Sequence, residues 1–127
     1  MRIEHIGLWA KDLEKTKKFY ETHFEGKAGD KYVNPKTCFE SYFIQFKSGA
    51  RLEIMKKPSL IASGNDEKHL GYAHIAFSVG SKEKVDAVTE TLRSEGSRVV
   101  SEPRVTGDGY YESCVLDPDG NKVEITE

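Results

Sequence analysis

His5-Ile6-Gly7-Leu8 is echoed 69 residues on by His74-Ile75-Ala76-Phe77, and Gly49-Ala50-Arg51-Leu52-Glu53-Ile54 is echoed 71 residues on by Gly120-Asn121-Lys122-Val123-Glu124-Ile125. Two segments from the first half thus recur in order in the second, at offsets that a short indel reconciles. Self-similarity of this kind marks a duplicated structural unit. The chain reads as module one over about 1–57 and module two over about 72–127, joined by a polar, Gly-containing connector over about 58–71. Its 127 residues suit one domain built from both copies, 1–127, without a second independent core.

Within each copy the pattern is strand, helix, then three strands. Residues 2–9 alternate as a half-buried strand does. Asp12 is an N-cap, and Leu13, Tyr20 and Phe24 then recur at helical spacing. Gly26 and Gly29 mark the helix end and a turn. Strands follow over 31–33, 39–46 and 51–55, with Ser48-Gly49 as a hairpin turn. In the second copy 73–79 is a strand, Ser81 an N-cap, and Val85, Val88 and Leu92 the apolar stripe of a helix that Gly96 stops. Strands over 98–101, 110–116 and 122–126 complete it. Asp117-Pro118-Asp119-Gly120 has the residues of a tight turn. The expected class is α+β, with two pseudo-symmetric βαβββ modules.

Parity along the strands turns this pattern into chemistry. Successive strand side chains alternate between faces. Ile6, Leu8, Leu52, Ile54, Ile75, Phe77, Val123 and Ile125 therefore share the apolar face that the two helices would cover. His5, Glu53, His74 and Glu124 share the other face, where burying them unpaired would be costly. A curved sheet with helices outside and these four groups inside makes a metal cup. Taken singly, a strand His or a strand-end Glu is ordinary; the repetition in both copies is what carries the inference. Two imidazoles and two carboxylates suit Zn, Ni, Co, Fe or Mn and leave an octahedral ion two open positions. His23 and His69 have no counterparts in the other copy and read as surface residues. Cys38 and Cys114 read as small, reduced, core or half-buried residues rather than a disulfide framework.

Composition narrows the field. Nineteen basic and 21 acidic side chains are mixed along the chain, for a net charge of −2, with no basic stripe for nucleic acid. No apolar run is long enough to span a membrane. The N-terminus, Met-Arg-Ile-Glu-His, lacks an apolar signal region, so the expectation is a cytoplasmic protein.

The paired His…Gly-x-x-x-Glu pattern, with Gly71-Tyr72-Ala73-His74-Ile75-Ala76 and Leu116-Asp117-Pro118-Asp119-Gly120-Asn121-Lys122-Val123-Glu124-Ile125, resembles the vicinal-oxygen-chelate superfamily. Within it the chain is most similar to glyoxalase I (lactoylglutathione lyase) and its bacterial relatives, over essentially its whole length. The resemblance implies two facing modules and one divalent metal per site. It implies the ligands His5, Glu53, His74 and Glu124, completed between the two chains of a homodimer. The His/Glu/His/Glu set is nearer the nickel- or cobalt-activated branch than the zinc branch; Zn, Fe and Mn remain candidates. The activity implied is isomerisation of the hemithioacetal of a 2-oxoaldehyde and a thiol to a 2-hydroxyacyl thioester through an enediolate. Glu124 is the first choice for the proton-shuttling base and Glu53 its counterpart. The partner expected is thus a small-molecule substrate, a thiol conjugate.

Two departures bear on the thiol. An Arg common after the first ligand is replaced by Trp9, and an Asn common past the first Glu is absent, with Lys56-Lys57 in that stretch. Arg51 and Lys122 share the ligand face as supporting or substrate-binding groups, or as charge balance. Residues 106–111 form a loop ending in aromatics. Alternatives on the same scaffold are an extradiol-type dioxygenase, which Glu53 disfavours as a fourth ligand, a thiol transferase, and a non-catalytic module that binds a small ligand.

Overall fold

The computed structural model describes residues 3–60, 72–107 and 109–127. Residue contacts divide the chain into two compact units, Met1–Ser63 and Gly64–Glu127. Each is a β-sheet with one helix packed on it, so the α+β class is as expected.

The first unit runs β1 (His5–Trp9), α1 (Leu13–His23), β2 (Lys27–Ala28), β3 (Tyr32–Asn34), β4 (Phe39–Gln45) and β5 (Arg51–Lys56). Its sheet order is β1-β5-β4-β2, with β3 also pairing β4. β1 runs parallel to β5, placing Gly7 opposite Glu53, whereas β4 is antiparallel to β5. The expected strand 2–9 begins only at His5, and residue 2 lies outside the described residues. The two-residue β2 is too short for any period to announce.

Asp12 caps α1 as expected, its side chain accepting a hydrogen bond from the Lys15 N–H. The helix ends at His23 with Phe24 as its C-cap, as the spacing to Phe24 and the following Gly26 lead one to expect. Glu25, at φ 55°, takes the left-handed position, and the Gly26 N–H closes the turn onto the Tyr20 carbonyl. Gly26 is required for a different reason. A Cβ there would lie 2.6 Å from Ile44 Cγ2 and 3.0 Å from the Tyr20 carbonyl oxygen. Leu13, Thr16, Phe19 and Tyr20 are the buried side chains of α1, and Ile44, Leu52 and Ile54 are buried in the sheet it covers. Burying each Leu or Ile contributes about 1.5–3 kcal/mol.

The second unit runs β6 (Ile75–Ser78), α2 (Lys82–Ser94), β7 (Val99–Val105), β8 (Tyr111–Leu116) and β9 (Lys122–Thr126), with sheet order β6-β9-β8-β7. β6 is parallel to β9, repeating the relation of β1 to β5. The strand expected over 73–79 is shorter, so His74 stands one residue before it. β7, in contrast, runs four residues past the expected strand. Ser81 caps α2, and Gly96, at φ 91°, follows its end. The buried stripe of α2 is Val85, Thr89 and Leu92; Val88 is only half-buried. Thr89 can be buried because its hydroxyl donates to the Val85 carbonyl at 2.6 Å and lies 2.6 Å from Ser113 Oγ. Asp117 organises the β8–β9 turn, accepting from the backbone N–H groups of Asp119 and Asn121 and from the Asn121 side chain.

Candidate functional site

In the first unit the alternation of β1 and β5 points Ile6, Leu8, Leu52 and Ile54 toward α1 and turns His5 and Glu53 to the opposite face. Leu52 and Ile54 are buried there, Glu53 is partly exposed and His5 is exposed. His5 Nε2 lies 3.8 Å from Glu53 Oε2. The imidazole packs edge-on against Phe43, which sits across from Glu53 on β4.

The other ring nitrogen, His5 Nδ1, lies 2.6 Å from Glu4 Oε2. A carboxylate only accepts, so Nδ1 carries the proton and, in the neutral ring, Nε2 presents its lone pair toward Glu53. Two electron-rich groups then face each other, an arrangement that a cation would satisfy. Glu4 is itself held by Arg51, which donates through Nε at 2.8 Å and through Nη2 to the same oxygen. These hydrogen bonds, His5 first and Arg51 second, hold the Glu4 carboxyl below the usual carboxylate range. Arg51 Cζ also lies 4.2 Å from the Phe43 ring centroid. Glu4 was not singled out from the sequence. Strand parity would send adjacent side chains to opposite faces, but Glu4 precedes β1 and its chain is not bound by that alternation.

In the second unit His74 and Glu124 also come together, with His74 Nε2 3.1 Å from Glu124 Oε2. Val123 and Ile125 flank Glu124 and are fully buried on the side of α2. Burial raises the Glu124 pKa, partly offset by the charge of His74. The unit lacks a counterpart of Glu4, since Ala73 stands at the equivalent place. Cys114 pairs with Glu124 across β8 and β9; burial pushes its thiol up to about 11, so it stays protonated at neutral pH.

The geometry can be tested against a metal. Two donors held at about 2.1 Å from one ion and at right angles are roughly 3.0 Å apart. The second pair already has that spacing, and the first requires about 0.8 Å of closure. Among the described residues no group of three or more His, Cys, Asp or Glu side chains could hold an ion; each pair brings together two donors. The other residues considered have simpler roles. His23 is half-buried against Phe19, not a surface residue, and His69 lies outside the described residues. Cys38 is exposed. Tyr111 donates to Asp86 on α2, and the 106–111 loop, apart from Asp108, which is not described, is tied by Thr106 to Tyr110. No helix among the described residues is long and apolar enough to cross a membrane.

Residues 2–125 match the family model of the Glyoxalase/Bleomycin resistance protein/Dioxygenase superfamily. The chain belongs to this superfamily. Among its relatives is the uncharacterized protein YqjT of Bacillus subtilis, 30% identical over 97% of this chain and 96% of its own length. A lactoylglutathione lyase of Haemophilus influenzae is 27% identical over 100% of this chain and 93% of its own. The structure of a glyoxalase family protein from Enterococcus faecalis superposes with a TM-score of 0.82 at 25% identity, covering 99% of this chain and 97% of that one. The two-unit α+β architecture is thus that of the glyoxalase fold, and the chain is a glyoxalase-I-like member of the superfamily.

Proposed function

We propose that this protein is a divalent-metal-dependent lyase of glyoxalase I type. It would convert the hemithioacetal of a 2-oxoaldehyde and a thiol to the 2-hydroxyacyl thioester. The observation that carries this reading is the duplicated pair, with His5 Nε2 and His74 Nε2 facing Glu53 and Glu124 at 3.8 and 3.1 Å on the non-core face of each sheet. The donor set is two imidazoles and two carboxylates, which suits Ni or Co first, then Zn, Fe or Mn. Four ligands at one ion need a His5–Glu53 pair and a His74–Glu124 pair together. In the homodimer proposed here they come from different chains.

The bound ion would supply Lewis acidity that makes the proton beside the substrate carbonyl more acidic. The chain's own residues supply the rest. Glu124, its proton affinity raised by burial, takes the proton from the carbon bearing sulfur and returns it to the neighbouring carbon. The electron pair of the broken C–H bond forms the C–C double bond as the adjacent carbonyl pair moves onto its oxygen. The hydroxyl proton passes to that oxygen, and the former hydroxyl carbon becomes the thioester carbonyl as the neighbouring carbon is protonated. No oxidant or second substrate is consumed. Glu53 is the counterpart on the other side, and His5 and His74 hold the site without exchanging protons.

The test is conversion of methylglyoxal and a panel of thiols to thioester by protein stripped of metal and reloaded with Ni, Co or Zn. Turnover that depends on the metal supports the reading. Absence of turnover with every thiol and metal rejects it.

A further inference from the structure

The face of the first sheet that carries His5 and Glu53 continues to a second cluster with different chemistry. Along β1 the same alternation that exposes His5 exposes Gly7 and then Trp9. Trp9 is 45% exposed and meets Phe39 edge-on, with centroids 6.3 Å apart at 88°. Tyr32, 54% exposed, also packs against Phe39, with ring centroids 6.1 Å apart. Lys57 places its ammonium 4.5 Å from the Trp9 ring centroid. These four side chains line a concavity of about 690 Å³.

Two features distinguish the cluster from ordinary surface. Large aromatic side chains that remain half-exposed around a shared hollow leave ring faces and edges without a covering partner, and such patches mark ligand contacts. Among the described residues Lys57 is the only cation against the hollow, and its contact is a ring and not a carboxylate. Planar apolar walls with one positive charge at the rim complement a planar aromatic group bearing a negative charge.

The floor between this hollow and the His5–Glu53 pair is low and apolar. Gly7 contributes no side chain, and Met55 lies across it so closely that a Cβ on Gly7 would be 2.8 Å from Met55 Cε. Trp9 is four residues from His5 along β1, a distance of roughly 13 Å. A molecule reacting beside His5 and Glu53 can therefore lie along the strand and reach the aromatic hollow.

We infer that Trp9, Phe39, Tyr32 and Lys57 form a subsite for a planar, anionic aromatic group at the end of the substrate distal to its reacting oxygens. The assignment rests on the proposed function for its placement in a substrate, but not for the binding itself. The single tryptophan makes the subsite directly observable, because its indole N–H gives one resolved resonance.

The experiment follows that resonance in the full chain, treated with chelator to remove metal, during titration with 2-naphthoate. Cyclohexanecarboxylate keeps the charge without the plane, and 2-naphthalenemethanol keeps the plane without the charge. Naphthoate is expected to shift the indole signal saturably, with affinity at least about fivefold above either control. Calorimetry should show Trp9→Ala weakening naphthoate about tenfold or more. Lys57→Met should weaken naphthoate severalfold while leaving 2-naphthalenemethanol unchanged. Equal binding of the three probes, absence of saturable binding, or a signal that moves only with protein dilution and association would each overturn the assignment. Because the measurement uses metal-free protein, failure here leaves the lyase reading standing, and loss of the lyase reading leaves naphthoate binding to be judged on its own.

Discussion

His5 donates its Nδ1–H to Glu4 at 2.6 Å, and Glu4 in turn is gripped by Arg51 from the neighbouring strand β5. The effect is to fix the tautomer and plane of a ring whose other nitrogen faces Glu53. Carboxylates placed behind an imidazole raise its basicity as a ligand, and their removal typically costs about 10–100-fold in metal affinity. Glu4→Ala should therefore weaken Ni or Co binding by that order in a chelator-competition assay. Glu4→Gln, which keeps an acceptor but not the charge, should lose less. An affinity unchanged in Glu4→Ala would mean that the carboxylate serves only Arg51.

Glu124→Gln keeps the side chain's shape and one oxygen but removes its capacity to take a proton. Turnover at saturating metal should fall about 10²–10⁴-fold, the usual yield of a positioned acid–base group. Substrate affinity should change far less. Glu53→Gln should be the milder of the two, because burial raises the proton affinity of Glu124. Steady-state kinetics with calorimetric binding of substrate would separate the effects, and a larger loss in Glu53→Gln would exchange their roles.

Much of this geometry can be read from residue order, and the misses have physical causes. Asp12 and Ser81 announce both helices because each precedes a helical apolar stripe and caps it with its own side chain. Parity turns His5, Glu53 and Glu124 away from the core face because Leu52, Ile54, Val123 and Ile125 mark that face as buried. Thr89 escapes notice because a hydroxyl counts as polar in a periodic pattern until a partner for it is known. Gly26 marks the helix end in the sequence, but its physical reason is hidden there: Glu25 takes the left-handed position, and Gly26 clears Ile44. Glu4 is invisible to periodicity because it lies where the strand has not yet begun.

A network at the α1–β4 contact makes an acid-dependent contribution. Lys17 lies 2.9 Å from the Glu14 carboxylate and Tyr42 donates to it at 2.8 Å; the Lys17 contact is the larger cause of its lowered pKa. A carboxylate depressed by folding contributes stability above its unfolded pKa, about 4.5, and loses it as pH falls through the lower folded value. Wild type should therefore exceed Glu14→Gln in stability by a constant margin at neutral pH, and the margin should shrink below pH 4.5. Urea denaturation across pH 3–7 would measure it, and a pH-independent margin would rule the mechanism out.

The buried pair Thr89 and Ser113 allows the direction of one hydrogen bond to be deduced. Thr89 has a single hydroxyl proton, and it goes to the Val85 carbonyl. The proton between Thr89 Oγ1 and Ser113 Oγ, 2.6 Å apart, must then belong to Ser113. The two obvious substitutions are consequently unequal. Ser113→Ala removes a donor and leaves Thr89 bonded to Val85, costing no more than the bond itself, about 0.5–1.5 kcal/mol. Thr89→Val removes the acceptor and strands the Ser113 hydroxyl where it is only 1% exposed, at about 1–3 kcal/mol. The double substitution Thr89→Val with Ser113→Ala should recover part of that loss, since neither polar group then remains buried. Denaturant midpoints of the three variants would decide the matter, and a double variant less stable than Thr89→Val alone would reverse the assigned direction.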